Sequence, residues 1–181
     1  MARLPYVDPA AASEEVRGIL DRLPVKLNVF RMMAHAQTCF RPLIGLGTAI
    51  LSRQQLAPKL RELVILRVAQ QSPARYEWVQ HVPIGLAAGL TAQQIDALDR
   101  GDIDSSFSRE ENLVLRFATE LVHGVRASDA IFAELTARFT PQEIVELILT
   151  AGYYMMLARL METTGVDLEA DAGTKIVDAL K

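Results

Sequence analysis

The sequence predicts an all-α fold, and two observations indicate it. Apolar residues recur at the three- and four-residue spacing of helices, and no stretch sustains the two-residue alternation of a half-buried strand. Thr91, Ser108 and Thr140 are each followed three residues later by Gln or Glu, which is the capping-box pattern of helix N-termini. With 181 residues, the chain is long enough for one domain with its own core. We therefore expect a single domain over residues 1–181 with about eight to ten helices.

The first half of the chain contains five predicted helices. Ser13 precedes the first helix, which Pro24 ends. Pro58 opens the fourth, and the Ser72-Pro73 step separates it from the fifth, which ends at Gly89. The helices after the first are predicted at residues 29–36, 40–51, 59–71 and 75–88.

The second half contains four predicted helices and an acidic tail. Capping residues begin each helix, and Pro141 stands at the first helical position of the last long one. The helices are predicted at residues 92–100, 109–122, 129–139 and 141–163, with a polar loop at 101–107. The tail from Asp167 is left open as a helix or a flexible arm.

The apolar positions of these helices predict the core. Helical spacing places one apolar face of each helix against its neighbours. The expected core residues are Leu63, Val64, Leu66, Val68, Val79, Leu86, Leu115, Phe117, Leu147 and Leu149.

Composition excludes several classes of function. The net charge is −3, and acidic and basic residues are mixed, so no nucleic-acid surface is expected. The single cysteine, Cys39, excludes an intramolecular disulfide and a cysteine-based zinc cluster, and we expect it to be a small buried hydrophobic residue. Three scattered histidines indicate no metal site.

The sequence gives no sign of a membrane protein. Its start lacks a charged residue cluster followed by an apolar stretch, so no signal peptide is expected. The most apolar segment, residues 144–160, contains Glu146 and Arg159 and is short for a bilayer span. We therefore expect a soluble cytoplasmic protein without a membrane partner.

Glu77 and His81 are the first candidate site residues. They lie four apart in the segment Tyr76-Glu77-Trp78-Val79-Gln80-His81, so a helix makes them neighbours. A buried pair of this kind is either a hydrogen-bonded core element or a device for moving protons. Residue types and spacing alone leave both interpretations open.

Glu62 is the third candidate. It precedes four consecutive apolar residues, so its helix is expected to be buried on most sides. Its charge then needs a partner, such as Arg67 or an arginine from a neighbouring helix. The short Ser72-Pro73 turn favours antiparallel packing of its helix against that of Glu77 and His81. We therefore expect all three side chains to share one apolar pocket, with one carboxyl protonated near neutral pH.

These residues and their flanks resemble the carboxymuconolactone decarboxylase family, which includes the AhpD-type alkylhydroperoxidases. The resemblance covers most of the chain. It is carried by residues 60–67 (LRELVILR), 76–81 (YEWVQH), 87–91 (AAGLT) and 152–154 (GYY), and by Ala158-Arg159. It implies an AhpD-like helical fold.

The peroxidase branch of that family resembles a pattern of Glu, then Cys-x-x-Cys, then His four residues beyond the second cysteine. Aligned on Glu62 and His81, the two cysteine positions hold Ala74 and Glu77. Peroxide reduction needs an attacking and a resolving thiol, and Cys39 cannot supply both. The resemblance therefore does not imply peroxidase activity.

What the resemblance implies is a cofactor-free and metal-free lyase or isomerase acting on a small organic acid or lactone. In that interpretation His81 binds a developing oxyanion, Glu77 orients or charges His81, and Glu62 transfers a proton. The alternatives are an AhpD-type oxidoreductase and a non-catalytic ligand-binding relative. The resemblance also implies a homo-oligomer: a dimer, trimer or hexamer.

Overall fold

The computed structural model describes residues 1–103 and 105–180, and in these ranges the chain forms ten helices and no strand. The predicted all-α class is confirmed. The helices are Glu14–Arg22 (α1), Asn28–Met33 (α2), Gln37–Arg53 (α3), Pro58–Gln71 (α4), Arg75–Ala87 (α5), Ala92–Asp99 (α6), Arg109–His123 (α7), Asp129–Thr136 (α8), Pro141–Thr164 (α9) and Lys175–Asp178 (α10).

Side-chain caps fix the starts of five helices. Each capping hydroxyl accepts a hydrogen bond from the backbone N–H three residues further along, which satisfies a donor that the first helical turn leaves free. The capping residues are Ser13, Thr91, Ser108, Ser128 and Thr140. The eighth helix ends at Thr136, short of the predicted end at residue 139. Asp104, inside the predicted polar loop, lies outside the described residues.

Helix α4 is the centre of the fold. It packs against α5, α7 and α9, and every residue from 60 to 69 is buried. Because a helix enclosed on all sides has no solvent face for its polar groups, the charged side chains of α4 must be satisfied inside the protein. The helix that carries Glu62 is therefore the core of the molecule.

Most of the predicted core residues are buried. Seven of them have relative exposures of 0 or 1%: Leu63, Val64, Leu66, Val68, Leu115, Phe117 and Leu147. Val79 is half-buried. The predictions for Leu86 and Leu149 are wrong, since these side chains are 43% and 46% exposed. Both lie in helices that are apolar around most of their circumference, so the pattern does not distinguish the buried face from the outer one.

The outer face of α9 carries a continuous apolar stripe. Val145, Ile148, Leu149, Gly152 and Met156 follow one another at helical spacing and are exposed. The helix is long and apolar enough to cross a membrane by length and composition, but 44% of its most apolar window is buried inside the fold. A core helix of a soluble protein meets the same criteria.

Cys39 departs from its predicted environment. It lies in the first turn of α3 and is exposed, not buried, because its neighbour Phe40 occupies the inward position. Residues after α9 return over the fold instead of extending away from it. Asp167 pairs with the N-terminal amine at 3.0 Å and accepts a hydrogen bond from the Tyr6 hydroxyl at 3.1 Å.

Candidate active site

A largely apolar cavity of about 120 Å³ lies beside α5 and α9. Its walls come from the α1–α2 connection, α2, α3, α5, α9 and the C-terminal segment. Among the lining residues are the aliphatic side chains Leu27, Ile44, Leu51, Ile84, Leu157 and Ile176. The few polar groups that reach it belong mainly to α5 and α9, and include Glu77, Gln80, His81, Tyr153 and Tyr154. This pattern, an apolar cavity with a few convergent polar groups, is typical of small-molecule sites.

His81 is held by Glu62. The Oε2 atom of Glu62 lies 2.9 Å from Nδ1 of His81, across the α4–α5 contact. The other carboxylate oxygen, Oε1, accepts a hydrogen bond from Nε of Arg61 at 2.9 Å, and Arg61 Nη1 donates to the Leu51 carbonyl at 2.9 Å. A buried chain of polar groups thus runs from the end of α3 through Arg61 and Glu62 to the imidazole.

The partner of Glu62 is therefore Arg61 and not Arg67. Arg67 points to α7, where its Nε donates to the Thr119 hydroxyl at 2.8 Å. Sequence reasoning missed Arg61 because adjacent helical residues ordinarily do not face each other. The long arginine side chain nevertheless reaches the adjacent carboxylate through Nε.

The contacts of His81 fix its tautomer. An ionised carboxylate only accepts hydrogen bonds, so we assign the proton to Nδ1, which donates to Glu62. The Tyr154 ring packs edge-on against the imidazole, with ring centroids 4.9 Å apart and planes at 88°. Since His81 also lines the cavity, these contacts leave Nε2 as the nitrogen available to a bound molecule.

Glu77 has a different environment from the one expected. Its side chain lines the same cavity and is only 2% exposed, yet neither carboxyl oxygen has a hydrogen-bond partner among the described residues. Glu77 makes no hydrogen bond to His81 among the described residues, and Glu62 on the neighbouring helix makes that contact instead. Burial, and secondarily the negative charge of Glu162, raise the pKa of Glu77 well above its ordinary value.

The three candidate residues therefore lie close together, but only two of them reach the cavity. His81 and Glu77 line the cavity, whereas Glu62 is 0% exposed, is not a lining residue and contacts His81 from behind. The expectation of one shared apolar pocket holds for His81 and Glu77 only. One carboxyl pKa was expected to be raised, and that of Glu77 is. Its main cause is burial, and not a second carboxylate beside the imidazole.

Two tyrosines of α9 complete the inner wall. The Tyr153 hydroxyl donates to the Leu43 carbonyl at 3.0 Å, and burial raises its pKa to about 12. Gly47 allows this approach, since a Cβ atom at that position would lie 2.6 Å from the Tyr153 hydroxyl oxygen. Burial also raises the pKa of Tyr154 well above its ordinary value, so both rings are neutral.

The C-terminal segment forms one side of the cavity through Ile176 and Leu180. Hydrogen bonds with Tyr76 and Gln80 of α5 hold it there. The Tyr76 hydroxyl donates to the Glu169 carboxylate, and the Gln80 side-chain oxygen accepts from the Ala172 N–H at 3.0 Å. No sequence signal indicated these contacts, because they join positions about ninety residues apart. Among residues 1–103 and 105–180, no three His, Cys, Asp or Glu side chains are grouped to hold a metal ion.

Solved structures share this architecture over nearly the whole chain. An AhpD-core, peroxidase-related protein from Ralstonia eutropha JMP134 superposes with a TM-score of 0.79 at 19% identity, covering 93% of this chain and 92% of that one. A peroxidase-related protein from Silicibacter sp. TM1040 gives 0.79 at 17% identity, with the same coverages. The debrominase Bmp8, in complex with 2,3,4-tribromopyrrole, gives 0.76 at 16% identity and covers both chains completely. These likenesses establish the fold.

The sequence itself carries the family signature. Residues 38–120 match the model of the carboxymuconolactone decarboxylase family, and this range includes Glu62, Glu77 and His81. No curated protein matches the sequence significantly. The chain is therefore similar to the carboxymuconolactone decarboxylase family over residues 38–120, and it has an AhpD-like fold.

Proposed function

We propose that this protein is a cofactor-free lyase or isomerase that moves a proton on a small organic acid, lactone or related carbonyl compound. The observation that carries the proposal is the convergence of two unlike groups on one apolar cavity. These groups are an imidazole held by a buried carboxylate and a buried carboxyl without a protein partner among the described residues. Such a pair can remove a proton and stabilise the charge that results.

His81 is the proposed base. With its Nδ1–H directed at Glu62, a neutral ring presents the lone pair of Nε2 to a ligand. When Nε2 takes a proton, the ring becomes an imidazolium, and the adjacent Glu62 carboxylate stabilises that charge. The same division of labour between an orienting carboxylate and a basic imidazole operates in catalytic triads. Glu62 is therefore a positioning residue in this proposal, and not the proton donor that the sequence suggested.

Glu77 is the proposed partner of the substrate oxygen. A protonated carboxyl in an apolar site donates a hydrogen bond to a developing oxyanion, and a raised pKa keeps the proton in place. Because the carboxyl has no competing partner among the described residues, its O–H is free to donate to a ligand. The roles of all three site residues thus differ from those implied by the family resemblance.

Each proton and electron pair has a destination in the proposed isomerisation. The proton on the carbon next to the carbonyl moves to Nε2 of His81, and its bonding electrons form an enolate whose oxygen accepts from the Glu77 O–H. The imidazolium then returns the proton to another carbon of the conjugated system. In the lyase variant the bond to a carboxylate breaks instead, carbon dioxide leaves, and the bonding electrons form the enolate. The Glu77 O–H then protonates the remaining carbon, and the Glu77 carboxylate regains a proton from water.

Thiol-dependent peroxide reduction fits this chain poorly. The one cysteine, Cys39, is exposed in the first turn of α3 and is not among the residues that line the cavity. Bmp8 binds a small ring compound in its complex, and a cavity of about 120 Å³ suits a ligand of comparable size. The size of the site therefore supports a one-ring substrate, whereas the thiols of a peroxidase are missing.

Hydrogen exchange with solvent tests the proposal even while the natural substrate is unidentified. The protein is incubated in D₂O with five-membered unsaturated lactones, such as α-angelica lactone, and with their ring-opened keto acids. Deuterium uptake next to the carbonyl is followed by ¹H NMR. We expect uptake with the wild-type protein to exceed that with His81→Gln by at least about a hundredfold for one compound. Equal uptake by the two proteins across the panel would contradict the proposal and favour a non-catalytic binding role.

A further inference from the structure

The polar groups around the cavity limit the charge of its ligand. In the part of the chain that the structure describes, no lysine or arginine lines the cavity. The guanidinium of Arg61, which contacts the carboxylate that holds the imidazole, is engaged by Glu62 and by the Leu51 carbonyl. Transfer of a carboxylate from water into such an apolar space costs free energy that no cation offsets.

His81 does not supply the missing positive charge. Its Nδ1–H is already committed to the Glu62 carboxylate, whose negative charge is balanced by Arg61, so with the neutral ring of the proposed function the three groups together carry no net charge. The negative charge of Glu162 acts on Glu77 from the side chain's surroundings. Both features disfavour an anionic ligand.

Glu77 specifies what the ligand must offer instead. Both of its carboxyl oxygens are buried and lack hydrogen-bond partners among the described residues, and the side chain faces the cavity. A buried polar group without a partner is costly, and a ligand that satisfies it recovers that free energy. A protonated carboxyl has one O–H donor and one carbonyl acceptor, so its best partner has an acceptor beside a donor.

The volume of the cavity sets the size of the ligand. An apolar cavity of about 150 Å³ holds one benzene molecule. The cavity of about 120 Å³ here suits one small ring, and its aliphatic walls match an apolar ring body. The remaining polar contact is the one that Glu77 makes.

We propose that the cavity selects an uncharged carbonyl compound of about one ring, with an N–H or O–H group next to its carbonyl, and that it rejects carboxylate anions. This inference rests on the proposed function of the same site and narrows it. It removes organic-acid anions, and with them the decarboxylating variant of the reaction, from the proposed function, and it favours isomerisation of lactams, amides and hydroxy-substituted or enolic lactones.

Three compounds of nearly equal shape test the inference. Benzamide has a donor beside its carbonyl, acetophenone has a methyl group there, and benzoate has a negative charge. Ligand-observed NMR titrations near pH 7 with the wild-type protein should rank benzamide first, acetophenone second and benzoate last. Benzamide should bind at least about tenfold more tightly than benzoate. Binding of benzoate as tight as that of benzamide would overturn the inference.

Variants of Glu77 supply the control. Glu77→Met removes the polar partner, so we expect the preference between benzamide and acetophenone to reverse. An unchanged preference would overturn the inference. This readout compares two ligands on one protein, so it does not depend on the stability of the variant. Glu110→Gln, at an exposed position of α7, should retain the wild-type ranking.

Glu77→Gln separates this inference from the proposed function. An amide retains a donor and an acceptor, so benzamide should bind within about threefold of wild type. An amide N–H is a weaker hydrogen-bond donor to an enolate oxygen than a carboxylic O–H, so deuterium uptake should fall by at least about tenfold. If benzamide, acetophenone and benzoate bind in the expected order but no compound takes up deuterium in a His81-dependent way, only the proposed function is contradicted. If deuterium uptake depends on His81 but benzoate binds as tightly as benzamide, only this inference is contradicted.

Discussion

Glu62 holds His81 from the neighbouring helix, with Oε2 2.9 Å from Nδ1. Glu77, one turn before His81 on the same helix, makes no such contact and keeps both carboxyl oxygens unpaired within the described chain. The two glutamates therefore have opposite functions in the site. The first fixes the imidazole, and the second is left to meet a ligand.

Glu62→Gln is expected to destabilise the protein by about 3 kcal/mol, because it leaves the buried Arg61 guanidinium without its anionic partner. Denaturant unfolding measures this loss. Glu15→Gln, which breaks the exposed Glu15–Arg41 pair, is the matched control and should cost less than about 1 kcal/mol. The rate of deuterium uptake by the substrate should also fall by about a hundredfold, since the His81 ring loses its orienting carboxylate. Similar stabilities of the two variants would show that the buried pair is not structural.

Glu77→Gln should change how stability depends on pH. Because folding raises the pKa of Glu77, the folded chain keeps this proton while the unfolded chain releases it, so its contribution to stability falls as pH rises. The contribution is fully present below the ordinary value of 4.5 and declines until the folded pKa is reached. As pH rises within that window, the unfolding free energy of Glu77→Gln should increase relative to that of wild type by about 1.4 kcal/mol per pH unit.

Unfolding free energies measured at about pH 4 and about pH 6 check this expectation. Titrating groups common to both proteins cancel in the difference. Glu110→Gln serves as the control and should show a nearly constant difference from wild type. A constant difference for Glu77→Gln as well would mean that the carboxyl is ionised in the folded protein.

Cys39→Ser should leave activity within about twofold and stability within about 0.5 kcal/mol, because the thiol is exposed and not a lining residue of the cavity. Steady-state rates on a compound that undergoes exchange provide the measurement. Abolished activity in a folded Cys39→Ser protein would restore the thiol-dependent alternative.

The apolar stripe of α9 should be covered by a second copy of the chain. Five neighbouring positions with exposed apolar surface on one helix face are unusual for a monomer. Light scattering at micromolar concentration should therefore give a mass of at least twice 20.0 kDa. Leu149→Lys should lower the mass, whereas Val125→Lys, at an exposed apolar position outside the stripe, should not. A wild-type monomer would contradict the expectation.

Local signals predicted the helices because each signal acts within a few residues. A capping hydroxyl such as that of Thr91 or Ser108 satisfies a donor three residues away, and proline at position 58 or 141 begins a helix by its own geometry. These effects do not depend on the tertiary fold. The order of the helices and their capped or proline-led starts were therefore predictable, whereas α2 ends three residues before its predicted end and α3, without a side-chain cap, begins three residues before its predicted start.

The hydrogen bonds of the site were less predictable, because they depend on which helix faces pack against each other. Spacing showed that Glu77 and His81 share a helix face, but not that Glu62 would reach the imidazole first. Spacing did not predict the contact between Arg61 and Glu62, since adjacent residues of a helix seldom pair. The exposure of Leu149 was not predictable either, because the sequence of an almost uniformly apolar helix does not show which face is exposed.

The most direct test of His81 as the base is the turnover of His81→Ala per folded molecule, with folding measured on the same sample. We expect a loss of at least about a hundredfold in the rate of proton transfer with the helical fold retained, because the variant lacks the Nε2 atom that takes the proton. A variant that loses about 1–3 kcal/mol of stability but turns over at the wild-type rate would contradict this role, since His81 would then be only a buried hydrogen-bonding residue.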